Sequence, residues 1–314
     1  MTPHADLLLG AYAMAPDDPT AEEIFYTGVA DLGVRGLELP LPLAGAPSLE
    51  PAWIDRNVRP AWDLLVTCIP TVMGRLGSGR AYGLASDDQT ERAHAVDDVA
   101  RARDLALRLA DQHGRRRIVA IQVHSAPGPI GGSCDALARS LDEILAWDLA
   151  GADVLVEHCD ALVAGRHPAK GCWALQDESA AVRTGGGAGR LGISINWGRS
   201  AIEGRSIRTP VEHVQAAVEA GLLRAVVLSG ATDVETEWGP AWGDAHIPPR
   251  GDDPALAPSS LLGRPEIAAT LRAAGSPQHL AVKVSVRPRD ASVPTRLAVA
   301  RAALSEVALA RPTR

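Results

Sequence analysis

Residues 118–124 read Ile-Val-Ala-Ile-Gln-Val-His and residues 154–157 read Val-Leu-Val-Glu, two short apolar runs that each stop at a polar side chain. Runs of this length and composition are strand candidates. Six more follow the same pattern, at Leu7–Tyr12, Gly36–Leu39, Leu64–Ile69, Leu191–Asn196, Arg224–Ser229 and His279–Val286. Almost every one ends in or beside a polar residue. Longer segments of helical period separate them, near Ser133–Asp148, Trp173–Arg183, Arg264–Ala274 and Ser292–Leu309 among others. Thr20-x-x-Glu23 and Ser86-x-x-Gln89 read as capping boxes, and Thr209-Pro210-x-Glu212 adds a proline at the first helical position. Gly33, Gly114 and Gly221 read as helix stops.

Eight strands alternating with helices predict the α/β class and, within it, a (β/α)₈ TIM barrel that uses residues 1–314 as one domain. A doubly wound sheet is the rival. It is disfavoured because the first strand runs into Ala11-Tyr12-Ala13-Met14, with no glycine-rich turn to cradle a dinucleotide. The one glycine cluster, residues 185–189, precedes a strand rather than opening a helix, so it reads as a flexible connection. The longest irregular stretch, Gly230–Ser260, follows the seventh strand and is rich in Pro, Gly, Asp and Trp. A loop so placed can reach the barrel mouth, and a lid is expected there.

Composition narrows the partners. With 46% hydrophobic and 22% charged residues the chain is that of a globular protein with a full core. No apolar run reaches the roughly 18 residues of a membrane span, and the first residues lack a signal-peptide pattern, so a cytoplasmic protein without a membrane partner is expected. A net charge of −7 argues against nucleic acid. The four cysteines show no CxxC spacing and read as reduced thiols. Only Lys170 and Lys283 are lysine among 31 basic residues. A lysine kept inside an apolar strand of such an arginine-biased chain is a candidate for chemistry.

In a barrel, side chains alternate between the interior and the helical layer, so parity selects which strand-end residues face the mouth. Glu38, Gln122, His124, Glu157, Ser194, Asn196, Lys283, Ser285 and Arg287 pass that test. Each alone also reads as structural, since a carboxylate can cap a helix and a histidine can be a hydrogen-bonded core residue. Several ionisable groups at one end are harder to explain that way, because burying them is costly unless they are paired or used. Trp62 and Trp147 read as packing in helical segments, whereas Trp197, Trp238 and Trp242 lie beside the expected mouth.

With Glu157-His158-Cys159-Asp160 closing strand five and Asp244-Ala245-His246 in the loop after strand seven, the order of elements resembles the xylose isomerase-like barrel superfamily. That superfamily includes sugar isomerases, epimerases, inosose dehydratases and the zinc-dependent apurinic endonucleases (family 2), and the chain is similar to an uncharacterised bacterial branch. The resemblance makes Glu157 the strand-five metal ligand and acid/base group. It likens Asp244-x-His246 to the endonucleases' metal pair, sets Asn196-x-x-Arg199 where an Asp-x-x-His pair stands, and puts Val227 or Ser229 at the strand-seven histidine. Lys283 takes the place of the strand-eight glutamate. An ammonium there repels a cation, so no resident cofactor is expected; if a zinc or manganese is held, Glu157, Asp244 and His246 are its ligands.

The function this implies is a sugar or polyol isomerase, epimerase or dehydratase that moves a proton next to a carbonyl. Its partner is a small polar, sugar-like substrate, with room for a homo-oligomer. Glu157, Lys283 and His124 are the expected catalytic residues: base or acid, charge stabiliser, and second proton carrier or orienting donor. Glu38, Asn196, Arg199, Trp242 and His246 are the expected substrate-binding residues. A metal-dependent hydrolase of the same superfamily and a non-catalytic small-molecule-binding barrel are the rivals. The structural alternative makes Lys283 half of an ion pair with Glu157 or Glu38. In the catalytic reading, methionine at 283 silences the enzyme and leaves the fold intact.

Overall fold

A computed structural model describes residues 4–43, 49–79, 81–185 and 189–311. The elements run β1 (Leu7–Leu9), α1 (Pro19–Ala30), β2 (Gly36–Pro40), α2 (Pro51–Asn57), β3 (Asp63–Thr67), α3 (Ile69–Leu76), α4 (Gln89–His113), β4 (Ile118–Val123), α5 (Cys134–Leu145) and β5 (Asp153–His158). They continue with α6 (Leu175–Thr184), β6 (Leu191–Asn196), α7 (Trp197–Gly204), α8 (Thr209–Glu219), β7 (Leu223–Leu228), α9 (Arg264–Ala274), β8 (His279–Val282) and α10 (Val293–Ala310). The eight strands close in sequence order into a barrel, with every neighbouring pair parallel. This is the (β/α)₈ TIM barrel. Among the described residues no helix is long and apolar enough to cross a membrane.

Parity divides the core. Leu8, Leu65, Ala120, Leu155, Ala225, Val227 and Ala281 fill the barrel interior, all at most 1% exposed. Their neighbours in sequence, such as Leu7, Leu9, Leu64, Val66, Val154 and Val156, pack outward against the helices. Stepping two residues from each interior position towards the C-terminal end reaches Gln122 from Ala120, Glu157 from Leu155, Ser229 from Val227 and Lys283 from Ala281. The apolar plug therefore carries a polar layer on top.

Several element ends depart from the sequence reading. Helix α1 is capped by Asp18, whose carboxylate accepts from Ala21 N at 2.8 Å, because Pro19 fills the first helical position and pushes the cap upstream of Thr20. Asp88 likewise caps α4, accepting from Thr90 N and Glu91 N, while Ser86 instead accepts from Asp88 N. Strand eight stops at Val282, not Val286, because Ser285 N donates to His246 O of the long loop and not to a strand. Strand one ends at Leu9 and turns into a 3₁₀ turn at Ala11–Met14. Gly10 permits this: a Cβ there would lie 2.9 Å from Lys283 Cγ, so the lysine stem passes over a bare backbone. Gly114 and Gly221 do follow their helices with φ of 62° and 71°. Residues 186–188 of the glycine cluster fall outside the described residues.

Candidate active site

Glu157 ends β5 with its side chain inside the barrel and wholly buried. Its Oε2 is 2.8 Å from His124 Nε2 of the β4 end. Its Oε1 takes Asn196 Nδ2 at 3.2 Å and Arg199 Nη1 at 2.7 Å. Asn196 holds two things at once: its Oδ1 caps α7 by accepting from Arg199 N, and its amide donates to Glu157. An aspartate in that place would add a carboxylate beside Glu157, so the amide suits the carboxylate it faces.

Arg199 then reaches across the mouth. Its Nε lies 3.3 Å from Asp244 Oδ2 and its Nη1 lies 3.3 Å from Cys159 Sγ. Asp244 also receives Lys170 Nζ at 3.0 Å and faces His246 Nδ1 at 3.3 Å, and that imidazole nitrogen is 2.9 Å from Ser229 Oγ. On the opposite wall Lys283 Nζ meets Glu38 Oε1 at 2.8 Å, with the Tyr12 hydroxyl donating to the same oxygen at 3.2 Å. The ammonium also lies 5.0 Å from the centre of the Tyr12 ring. Three cations, Arg199, Lys283 and Lys170, thus face three carboxylates, Glu157, Glu38 and Asp244.

That balance sets the protonation states. Burial alone would raise Glu157, but Arg199, the His124 hydrogen bond and Lys283 hold it well below the usual carboxylate range. Asp244 is held low in the same way by His246, Arg199 and Lys170. Burial depresses His124, so it is neutral and donates its Nε2–H to Glu157. His246 is pushed down to about 3, by burial first and against the pull of Asp244. Burial would lower Lys283, yet Glu38 and Tyr12 keep it raised and charged.

The structure therefore brings Glu38, His124, Glu157, Asn196, Arg199, Asp244, His246 and Lys283 to one end of the barrel. Of the two ion pairs open to Lys283 in the sequence, it adopts the one with Glu38. Trp242 stands apart, its ring 5.3 Å from the Arg205 guanidinium and its backbone N–H donating to Thr232 O. Trp197 is a fully buried packing residue. Trp62 and Trp147 lie outside the helices, Trp62 before β3 and Trp147 beyond α5 against Arg103. Sequence reasoning missed Tyr12 and Lys170. The rarity of lysine that singled out Lys283 applied equally to Lys170, and a lysine in a loop was overlooked.

Two cavities flank the charged layer. One of about 370 Å³ is lined by Tyr12, Asp244, Ser285, Arg287, Arg289 and Arg296. The other, about 490 Å³, touches the layer at Lys170 and is otherwise mostly apolar, with Met73, Pro127, Ile130 and Leu162. Within the layer Glu38 Oε2, Gln122 Oε1 and His124 Nδ1 have no hydrogen-bond partner among the described residues. Buried polar atoms are seldom left so.

Two groups of three potential metal ligands occur among the described residues: His124, Glu157 and Cys159, and separately His158, Glu203 and His213. A divalent ion does not fit the first arrangement. Arg199 donates to both Glu157 and Cys159, and burial keeps that thiol protonated. The same guanidinium spans Glu157 and Asp244, so it occupies the space a shared ion needs in the set Glu157, Asp244 and His246.

Comparison with known proteins agrees with this geometry at the level of fold. The chain matches L-ribulose 3-epimerase at 13% identity and a TM-score of 0.59, covering 96% of this chain and 93% of that one. It matches D-psicose 3-epimerase in the presence of D-fructose at 15% identity and a TM-score of 0.57, over 95% and 96% of the two chains. A xylose isomerase domain protein from Alicyclobacillus acidocaldarius gives 16% identity and a TM-score of 0.54, over 97% and 99%. These likenesses are of the barrel fold. Residues 8–299 match the model of the family described as a domain of unknown function, DUF4862, and the chain belongs to that family. The uncharacterized protein STM3670 of Salmonella typhimurium (strain LT2) is 34% identical over 252 residues, 77% of each chain.

Proposed function

We propose that this chain is a sugar or polyol isomerase, epimerase or related dehydratase that transfers a proton next to a carbonyl. One observation carries the reading: an ionised, wholly buried Glu157 is flanked by a neutral imidazole and two cations at the C-terminal end of the barrel. Glu157 removes the proton from the carbon beside the carbonyl, and the bonding pair moves into an enediolate. The oxygen that gains charge is met by Arg199 and Lys283, positive groups held among buried side chains. Protonation of the same carbon from its opposite face gives an epimer; protonation of the neighbouring carbon, with the hydroxyl proton of the first carbon passing to the former carbonyl oxygen, gives an isomer. His124 orients the carboxylate through its Nε2–H.

Glu157 paired to Arg199 is a weak base, so substrate binding has to draw the guanidinium away. A substrate oxygen that takes over Nη1 leaves Glu157 buried with less compensation, which raises its basicity where it is needed. Asp244 and His246 belong to the 230–260 loop, which in this reading acts as the lid, with the segment around His246 closing the mouth. Glu38 Oε2 and Gln122 Oε1 are free to accept substrate hydroxyls. The epimerases of this fold are named for keto-sugars, which supports that substrate class. The metal-dependent hydrolase is disfavoured by the placement of Arg199.

The test is deuterium uptake from D₂O, followed by proton NMR, across free and phosphorylated ketoses and aldoses. We expect exchange at the carbon beside the carbonyl for at least one sugar, and a loss of at least about 10³-fold in Glu157→Gln. A protein that binds a sugar, as seen by thermal shift, yet exchanges no proton would overturn the enzyme reading in favour of a binding barrel. Chelator-sensitive hydrolysis would restore the hydrolase.

A further inference from the structure

Adjacent residues of β5 point opposite ways. Glu157 faces the mouth, and His158 faces outward into the helical layer, where it is wholly buried. Its Nδ1 lies 2.7 Å from Glu178 Oε2 on α6 and its Nε2 lies 3.0 Å from Glu203 Oε2 on α7. The other oxygen of Glu203 is 3.6 Å from His213 Nε2 on α8, and His213 Nδ1 is 3.0 Å from Ser200 Oγ. The two imidazole rings meet edge to face, with centroids 4.8 Å apart.

We infer that His158, Glu203 and His213 form a site for a zinc-class divalent cation, separate from the mouth of the barrel. Both histidines present Nε2 to one carboxylate while their Nδ1 atoms are engaged elsewhere, His158 by a carboxylate and His213 by a hydroxyl. That is how metal-binding histidines are oriented, with an outer carboxylate fixing the ring and raising its donor strength. The spacing agrees. Ligand atoms about 2.0–2.1 Å from a tetrahedral zinc stand about 3.3–3.4 Å from one another. The contacts of 3.0 and 3.6 Å fall either side of that value, and one atom from each residue lies within 4.8 Å of the others.

Charge and access point the same way. Glu178 and Glu203 together carry two negative charges, and a single proton on His158 leaves the buried group negative overall. A divalent cation in place of that proton brings it to neutrality, which lowers the cost of burying two carboxylates. Glu203 and His213 are 14% and 15% exposed, so the fourth position opens towards solvent. Ala161 N donates to Glu203 Oε2 at 2.9 Å and fixes that carboxylate too. Imidazole and carboxylate ligands in this number suit zinc above the harder cations, which prefer more oxygen ligands. The ion would join β5, α7 and α8, and α7 is the helix that carries Arg199 one turn before Glu203.

The test uses the full-length protein stripped with a chelator and titrated with cobalt(II) and then zinc(II). We expect one equivalent of cobalt with the intense ligand-field absorption of a four-coordinate site, displaced by zinc, and a higher melting temperature with either metal. His213→Gln and Glu203→Gln each weaken cobalt binding by at least about 100-fold, and Glu178→Gln, which touches only the outer carboxylate, by about 10–100-fold. His124→Gln and His246→Gln leave it unchanged. Circular dichroism of the metal-free variants checks that they fold, and His213→Asn serves as a second variant at the most exposed ligand. Failure of the stripped protein to take up cobalt or zinc would overturn the site. So would stoichiometric binding that survives His213→Gln and Glu203→Gln, or that is lost in His124→Gln.

Discussion

Replacing Lys283 with methionine keeps most of the stem's volume and removes the ammonium. Glu38 then remains 0% exposed with its Oε1 held only by the Tyr12 hydroxyl at 3.2 Å and its Oε2 without a partner. Breaking one side of a buried pair in this way costs about 3–5 kcal/mol, because the surviving charge stays desolvated. At about 2.1 cal/mol/K of unfolding entropy per residue over 314 residues, that loss lowers the melting temperature by about 5–8 °C. Methionine at 283 is therefore expected to leave the fold intact but measurably less stable. A double-mutant cycle isolates the pair. Glu38→Gln alone strands the ammonium, whereas Glu38→Gln with Lys283→Met removes both charges, so the double variant recovers about 2–3 kcal/mol relative to the sum of the singles. Equilibrium urea unfolding measures all four proteins. Strict additivity, or a Lys283→Met protein within about 1 kcal/mol of wild type, refutes the account of Lys283 and Glu38 as a buried, mutually dependent pair.

Two further outcomes follow from the mouth. Asp244 has its carboxyl lowered in the fold, so its contribution to stability is full above the unfolded value of about 3.9 and is lost as pH falls through the depressed folded value. Urea midpoints should begin to fall below about pH 6.5, where the unfolded chain takes up protons that the buried His124 and His246 refuse, and fall further below about 4, with a shallower limb below 4 in Asp244→Asn; parallel limbs there count against the ion pairing. Gly230→Ala places a Cβ 2.4 Å from Ser260 Oγ and 2.5 Å from Ile247 O, which pushes apart the bridge that pins His246 beside Ser229. A loss of about 1–3 kcal/mol and faster proteolysis within residues 230–260 are expected, and a variant as resistant as wild type argues against that bridge holding the loop.

The barrel was legible because its signal repeats. Eight apolar runs with polar ends, each followed by a helix, make one misplaced boundary harmless to the topology, and Gly114 and Gly221 mark helix ends through a local backbone requirement. Two helix starts were misread by two residues, because Asp18 and Asp88 supply the caps; the larger error came where an element's end is set by a partner distant in sequence. Strand eight shortens because Ser285 N finds His246 O, thirty-nine residues earlier, and nothing near Ser285 announces that. Parity found the mouth residues for the same reason it found the strands: a period of two is a property of the chain itself. It did not tell which carboxylate Lys283 would meet, since Glu38 is 245 residues away and the choice depends on a distance across the closed barrel. His158 was passed over because its parity is opposite to that of Glu157, and the outward cluster exists only once α6, α7 and α8 are in place.

Arg199 was singled out by the resemblance and not by parity. From sequence it stands where a metal-binding histidine is expected and reads as a group for substrate hydroxyls; in the fold its guanidinium bridges Glu157 and Asp244. A guanidinium and a metal ion both place positive charge between carboxylates, and both can meet an oxygen that becomes negative. They part company over water. A bound ion lowers the pKa of a coordinated water and generates a nucleophile, which a guanidinium, with donors and no vacant coordination position, does not do. An Arg199 so placed therefore supports chemistry that needs charge at a developing enediolate more than chemistry that needs an activated water. It also ties that charge to α7, so whatever moves this helix moves the cation relative to Glu157. An ion held by Glu203 would fix the same helix one turn further along. The charge at the mouth and the cluster behind the sheet thus act through one short element, and the two experiments, proton exchange in Glu157→Gln and cobalt binding in Glu203→Gln, read its two faces separately.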